Sequence, residues 1–202
     1  MYKRQKAYYA KQDAEKLSGK GDTSQKLTLM KTSADSLKKS ADALNDSSLW
    51  EKKKIKKKDE KTGEEIEVED YDWDKITKAV KSFVEDYNDV VKEAGESNTK
   101  DVLRNASWMT GMTDKNSNML AKIGITIGKG NKLELDEDAL KQADISSLKT
   151  VFTGYNSFVS KISQKATGIS NAANRASATY TNNGTYSKTD SLLTSSKIDE
   201  EV

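Results

Sequence analysis

Gly124, Gly128 and Lys129 fall within "GITIGKGN", a spacing close to that of loops whose backbone N–H groups cradle phosphate. Such a loop reads G-x-x-x-x-G-K-[ST] and joins a strand to a helix. Here three residues separate the glycines, Gly130 stands where the hydroxyl residue belongs, and a second apolar alternation follows. A structural turn explains the stretch better. "DKNSNM" opens like a calcium loop, with Asp114, Asn116 and Asn118 alternating, but the glycine is missing and Ile125 holds the twelfth position, where a bidentate acid is needed. A solvated loop is the simpler reading. Asp136, Glu137 and Asp138 group three carboxylates at a helix start, where the macrodipole already favours negative charge. Trp50, Trp73 and Trp108 have the chemistry of a sugar- or base-stacking platform. Trp73, however, lies on an apolar helix stripe, which leaves Trp50 and Trp108 as the exposed rings such a platform would use.

The chain has no Cys, His or Pro. Thiolate chemistry is absent with Cys, and the commonest general base and metal ligand is absent with His. No residue is assigned as catalytic, cofactor-binding or metal-ligating; the expectation is a non-enzyme with no cofactor. The 34 basic and 32 acidic residues nearly cancel, so no global field holds nucleic acid. No apolar run approaches the ~20 residues of a membrane span, and the basic start lacks the apolar stretch of a secretory signal. Apolar residues make up only 34% of the chain, which suits helices that each bury one stripe.

The elements follow from periodicity. Met1 to Leu17 is polar and helix-prone, and Ser18 to Gln25 reads as a loop. Between Lys26 and Leu44, apolar residues at Leu27, Met30, Ala34, Leu37, Ala41 and Leu44 mark a helix face. Lys52 to Lys58 carries six Lys and Glu64 to Asp70 five acids, with Gly63 between them able to take a positive φ. Two antiparallel strands, one basic and one acidic, are expected, with facing charges that attract. The acidic strand also cancels any nucleic-acid reading of the lysines. Asp72 then caps a helix. Trp73, Ile76, Val80, Phe83, Tyr87, Val90 and Ala94 step by 3, 4, 3, 4, 3, 4, a heptad seam widened by Val84 and Val91. Thr99 or Asp101 starts a further helix with Val102, Leu103, Ala106 and Met109 inward; Thr110 to Asn118 is expected to interrupt or fray it.

Ile123, Ile125 and Ile127 alternate, as do Leu133 and Leu135, so "GKGN" is the turn of a second hairpin. Asp136 caps the short helix after it. Another helical turn holds Ile145, Leu148, Val151 and Phe152. The last long helix, Tyr155 to Tyr180, repeats the seam with Val159, Ile162, Ala166, Ile169, Ala173, Ala176 and Tyr180. The fold expected is mainly α with small β-hairpins (α+β): an elongated antiparallel helical bundle. Residues 1–25 form an N-terminal helical or flexible segment. Residues 26–180 form the body, with hairpins at about 50–71 and 123–135, and 181–202 a polar tail expected to be poorly ordered. The two seams are the candidate packing and assembly residues, paired with each other in one chain or with a neighbouring subunit.

Three segments together resemble one family. "ITKAVKSFVEDYNDVVKEA" carries Ile76, Phe83, Val84, Tyr87, Asn88 and Val91 in an "I..FV..YN.L"-like pattern. "DVLRNASWMTGM" supplies Leu103 and Arg104. "LAKIGITIGKGNKLELDEDALKQA" supplies Ile123, Gly124, Ile125, Gly130 or Asn131, Leu133, Leu135, Asp136, Glu137 and Leu140; Val151, Phe152 and Gly154 close the block. Ordered in this way, from about Ile76 to Gly154, the chain resembles the bacterial flagellar hook-associated protein 2, the filament-capping family. The resemblance implies a body like that family's filament-proximal domain, export through the flagellar type III apparatus, self-assembly into a ring-like cap, and flagellin or other hook-associated proteins as partners. It implies an extracellular place on the flagellum, whereas the rival reading, a helical adaptor binding a partner helix, is cytoplasmic. Neither reading involves nucleic acid or membrane insertion. Family members carry larger β-rich domains between their helical halves, where this chain has the Lys52–Asp70 hairpin.

Overall fold

Thr23 opens the first described helix, its hydroxyl accepting from the Lys26 N–H. In the computed structural model, which describes residues 21–58 and 63–179, α1 then runs Ser24–Asn45. The expectations for the N-terminal segment before residue 21, for Tyr180 and for the tail at 181–202 lie outside the described residues. Every apolar residue of the α1 stripe, Leu27, Met30, Ala34, Leu37, Ala41 and Leu44, is at most 2% exposed. A turn of 3-10 helix (Ser47–Trp50), started by the Asp46 carboxylate on the Ser48 N–H, carries the chain to β1 (Lys53–Lys58). β2 (Glu65–Asp70) pairs antiparallel with β1, and Gly63 before it has φ 73°.

Asp72 caps α2 (Trp73–Gly95) through the Lys75 N–H. A short turn leads to α3 (Lys100–Lys115) and α4 (Ser117–Ala121). β3 (Ile125–Ile127) and β4 (Leu133–Leu135) form the second hairpin. α5 (Glu137–Gln142) is capped by Asp136 and α6 (Ile145–Phe152) by Asp144. The last described helix, α7, spans Phe158–Thr179.

Two expectations are narrowed. The interruption expected within Thr110 to Asn118 is present but confined to Asn116: α3 runs unbroken to Lys115 and α4 starts at Ser117, without fraying. Met112 packs on the core there. Thr113, 1% exposed, accepts the Tyr87 hydroxyl proton at 2.9 Å and donates back to the Met109 carbonyl at 3.0 Å. Packing and a satisfied buried hydroxyl outweigh the weak helix propensity of "TGMT". At the other end, α7 begins at Phe158 rather than Tyr155. Gly154, at φ 100°, turns the chain, Tyr155 is 83% exposed, and the Ser157 hydroxyl receives the Ser160 N–H at 3.2 Å.

Among the described residues, four long helices make the body. α1 packs most extensively on α7 and next on α2, while α3 packs on α7 and, less, on α2. Polar contacts fix the directions. Asp42 of α1 accepts from Ser163 of α7, and Asp35 from Ser170, so the two helices run antiparallel. Asp101 of α3 meets Arg175 of α7 at 3.7 Å while Trp108 meets Lys165, again antiparallel. Lys26 donates to the Glu96 carbonyl, which sets the start of α1 beside the end of α2. The bundle therefore runs up, down, up, down. The described chain enters at Gly21 and leaves at Thr179 at one pole, the β1–β2 hairpin lies at the other, and the β3–β4 hairpin packs on the side of α2.

Trp50 closes that second pole. Its ring is fully buried and stacks on Phe152 of α6, centroids 5.3 Å apart at 9°. Its indole N–H donates to the Leu44 carbonyl at 2.8 Å, satisfying one of the orphan acceptors at the end of α1. Trp50→Phe keeps most of the apolar area but strands that carbonyl. A loss of about 1–3 kcal/mol is expected, read as a lower denaturant midpoint at unchanged slope.

Candidate assembly surfaces

Ile76, Val80, Phe83, Tyr87, Val90 and Ala94 of α2 are at most 2% exposed, and Trp73 is half-buried at the helix start. In α7, Val159, Ile162, Ala166, Ile169 and Ala173 are fully buried and Ala176 half-buried; Tyr180 lies outside the described residues. Both stripes face α1 and their own chain. Each packs chiefly on α1, and they meet where Phe83 and Phe158 contact edge to face at 6.2 Å. Ala at the later α7 positions lets its neighbours come close, and Gly168 of α7 faces the Asn105 amide of α3, which a Cβ there would have to displace. The seams are thus consumed inside the chain, and surfaces left for other molecules must be sought elsewhere.

A polar ladder along α1 and α7 escaped sequence reasoning. Lys31 pairs with Asp35 at 2.6 Å, and Lys38 with Asp42. The same carboxylates accept from Ser170 and Ser163 of α7, each under a tenth exposed. The Lys, Asp and Ser positions each repeat at a heptad interval, so the ladder fixes register between the helices. Burial disfavours ionisation of Asp35 and Asp42, but the lysine and serine donors outweigh it and hold both carboxyls below the ordinary aspartate value. The matching heptads were the available signal; which helix would face which was not visible.

Asp22 was missed altogether, inside a segment read as loop. Its side chain is 1% exposed. It accepts from the Ser97 hydroxyl at 2.6 Å, the Thr99 hydroxyl at 2.7 Å, and the Asn98 and Thr99 N–H groups at 3.0 and 2.9 Å. Lys26 stands 3.4 Å away. One carboxylate thereby clasps the turn between α2 and α3 to the start of α1.

The stretch that imitates a phosphate loop has a packing role. Gly124, at φ 78°, lets the chain approach the Asp136 carbonyl and the Leu140 N–H too closely for any Cβ. The Asp136 N–H donates to the Gly124 carbonyl at 2.8 Å. Gly128 lies under the Glu134 side chain, which a Cβ at that position would have to displace. Asn88 of α2 clamps β4, donating to the Leu133 carbonyl at 2.9 Å and accepting its N–H at 2.7 Å. Among the described residues, no group of three or more potential ligands gathers to hold a metal, and no helix is long and apolar enough to cross a membrane. The tryptophan platform does not form: Trp50 is buried, while Trp108 is 61% exposed on α3 beneath the Lys165 ammonium, 5.3 Å from the ring centroid.

Most described side chains of the β1–β2 hairpin are exposed. Its register sets Lys53 against Asp70, Lys54 against Glu69, Ile55 against Val68 and Lys56 against Glu67. Ile55 and Val68 are half-buried; Lys53, Lys54, Lys56, Glu65, Glu67 and Glu69 are exposed, as is Ile66. Lys56 also reaches Glu65 diagonally at 3.3 Å. The root is fastened by Tyr71, whose ring meets Trp73 edge-on at 6.3 Å and carries Lys52 at 5.8 Å.

Comparison with protein-family models matches residues 97–200 to the C-terminal region of flagellar hook-associated protein 2. No curated protein and no solved structure matches the chain. The match takes in α3 through α7, including the ladder serines and the second hairpin, and covers just over half of the 202 residues. It extends past the Ile76–Gly154 block on its C-terminal side and begins after α2. On that match, the chain belongs to the flagellar hook-associated protein 2 family.

Proposed function

We propose that this chain is a non-catalytic structural subunit of a flagellar filament cap, exported to the flagellum and assembled with further copies of itself, with flagellin or other hook-associated proteins as its partners. The observation that carries the reading is the family match over residues 97–200. In this reading the seams Trp73–Ala94 and Val159–Tyr180 build a stiff body rather than the contact between subunits, because their described side chains are spent on α1 and on one another. A closed bundle with short connections transmits load without unfolding, which suits a part that must hold position while subunits pass.

The test is export. The untagged protein is expected in the flagellar or medium fraction of cells with an intact flagellar export gate, and inside cells without one. Retention inside both strains would overturn the cap reading and favour a cytosolic adaptor.

A further inference from the structure

The geometry points to the β1–β2 hairpin as a head-to-tail contact between copies of this chain, each β1 edge receiving the β2 edge of the next copy. This inference rests on the self-assembly reading above and names the surface it would use. The sheet has two strands, so each strand offers an outer edge on which no described strand sits. Charge is segregated by strand: five of six residues in β1 are Lys, and four of six in β2 are Glu or Asp. Natural edge strands carry charge to prevent pairing with a copy of themselves. Here that protection works only between like edges. β1 repels β1 and β2 repels β2, which removes the two-fold symmetric pairings, while β1 attracts β2.

The hairpin itself shows that the two sequences fit. Within one chain, β1 and β2 align antiparallel over six residue pairs, with four Lys–carboxylate pairs and Ile55 opposite Val68. Moving a second hairpin along the sheet presents its β2 to the outer edge of β1 in the same antiparallel sense, so the register can repeat. Strand twist of roughly 20–25° per step turns successive copies and swings their helical bodies apart. The hairpin sits at the pole opposite the one where the described chain enters and leaves, so those ends do not obstruct it. A contact of this kind joins unlike patches and builds a ring or an open row, according to the rotation per step. The exposed pairs are screened over ~10 Å at 0.1 M salt, so the association is salt-sensitive.

A sign-swapped hairpin tests this. Exchanging all four facing pairs together (Lys53→Glu, Lys54→Glu, Lys56→Glu, Lys58→Glu, Glu65→Lys, Glu67→Lys, Glu69→Lys and Asp70→Lys) preserves each pair within the hairpin while reversing the net sign of each edge. The full chain carries no Cys, so Tyr155→Cys at an exposed site takes a single donor or acceptor dye. Wild type and the swapped variant are each expected to self-associate at low salt by light scattering, and to dissociate as salt rises. Energy transfer between wild type and swapped copies is expected to fall at least tenfold below that within either. Mixing as free as that within wild type overturns the hairpin contact while leaving self-assembly standing through another surface. A wild type that stays monomeric at every salt concentration also overturns it, whereas the cap reading still stands or falls on export.

Discussion

Phe83→Asp is expected to leave the protein unfolded at 25 °C, with the helical circular dichroism signal and the dispersed amide spectrum of the wild type lost together. The Phe83 ring has no exposure and touches the Tyr87 ring at 6.3 Å and the Phe158 ring at 6.2 Å. It therefore sits where the α2 seam meets α7. Removing such a ring costs about 3–5 kcal/mol through lost transfer energy and the cavity left behind. A carboxylate placed in that cavity, against the Tyr87 and Phe158 rings, adds a desolvation penalty of several kcal/mol. The sum approaches or exceeds the roughly 5–15 kcal/mol that holds a typical domain. Phe83→Leu, which keeps most of the apolar volume, is expected to fold and to melt only a few degrees lower. A folded Phe83→Asp protein with unchanged melting would mean that the seam is not the core.

The same substitution separates two jobs that a heptad seam can have. A seam used between subunits gives a folded monomer when broken, whereas a seam used within the chain gives an unfolded one. Burial of the described α2 and α7 stripes against α1 predicts the second outcome. Assembly then needs surfaces that remain wet after folding, and the hairpin edges and the Trp108 ring under Lys165 are two of those.

Periodicity was the strongest guide to the body. The α1, α2 and α7 stripes were legible because one-sided burial leaves a 3–4 spacing whatever the partner. The charged hairpin was legible because two strands of opposite sign flank a glycine, and the caps at Asp72 and Asp136 because short acceptors precede apolar periods. Partner choice was not legible: three stripes of similar width do not say that α1 lies between the other two. Within Thr110 to Asn118 the break at Asn116 was legible but its narrowness was not, because local propensity is weak there and the Tyr87–Thr113 hydrogen bond that holds the helix to Lys115 spans distant positions. The burial of Trp50 is not legible, because Phe152 and the Leu44 carbonyl come from elements that sequence alone does not bring to it. Asp22 failed for the same reason, since its partners lie some 75 residues away.

Asp22 gives the second large effect, with a pH signature of its own. Burial opposes its ionisation, but the Ser97 and Thr99 hydroxyls, the Asn98 N–H and the Lys26 ammonium outweigh burial and hold the carboxyl below its usual value. The folded pKa is thus lower than the unfolded value of about 3.9. A depressed carboxylate stabilises the fold fully above the unfolded pKa, and that contribution is lost as pH falls through the folded pKa. Asp35 and Asp42 shift in the same direction and add to the acid sensitivity. Asp86 shifts upward, from burial and then from Asp89 and Glu85, against the Ser40 hydroxyl; its strain is relieved on acidification. Asp22→Asn turns one acceptor into a donor aimed at a ring of donors. With charged hydrogen bonds at about 1.5–3 kcal/mol each and not additive, a loss of about 3 kcal/mol at pH 7 is expected, or roughly 10 °C in melting temperature. The gap between wild type and Asp22→Asn should then narrow from about pH 5 downward, as the wild-type carboxylate takes up its proton. Thermal melts of both proteins from pH 7 to pH 2.5 measure it. A gap that stays constant over that range would show that the Asp22 charge does not hold the start of α1 to the turn between α2 and α3.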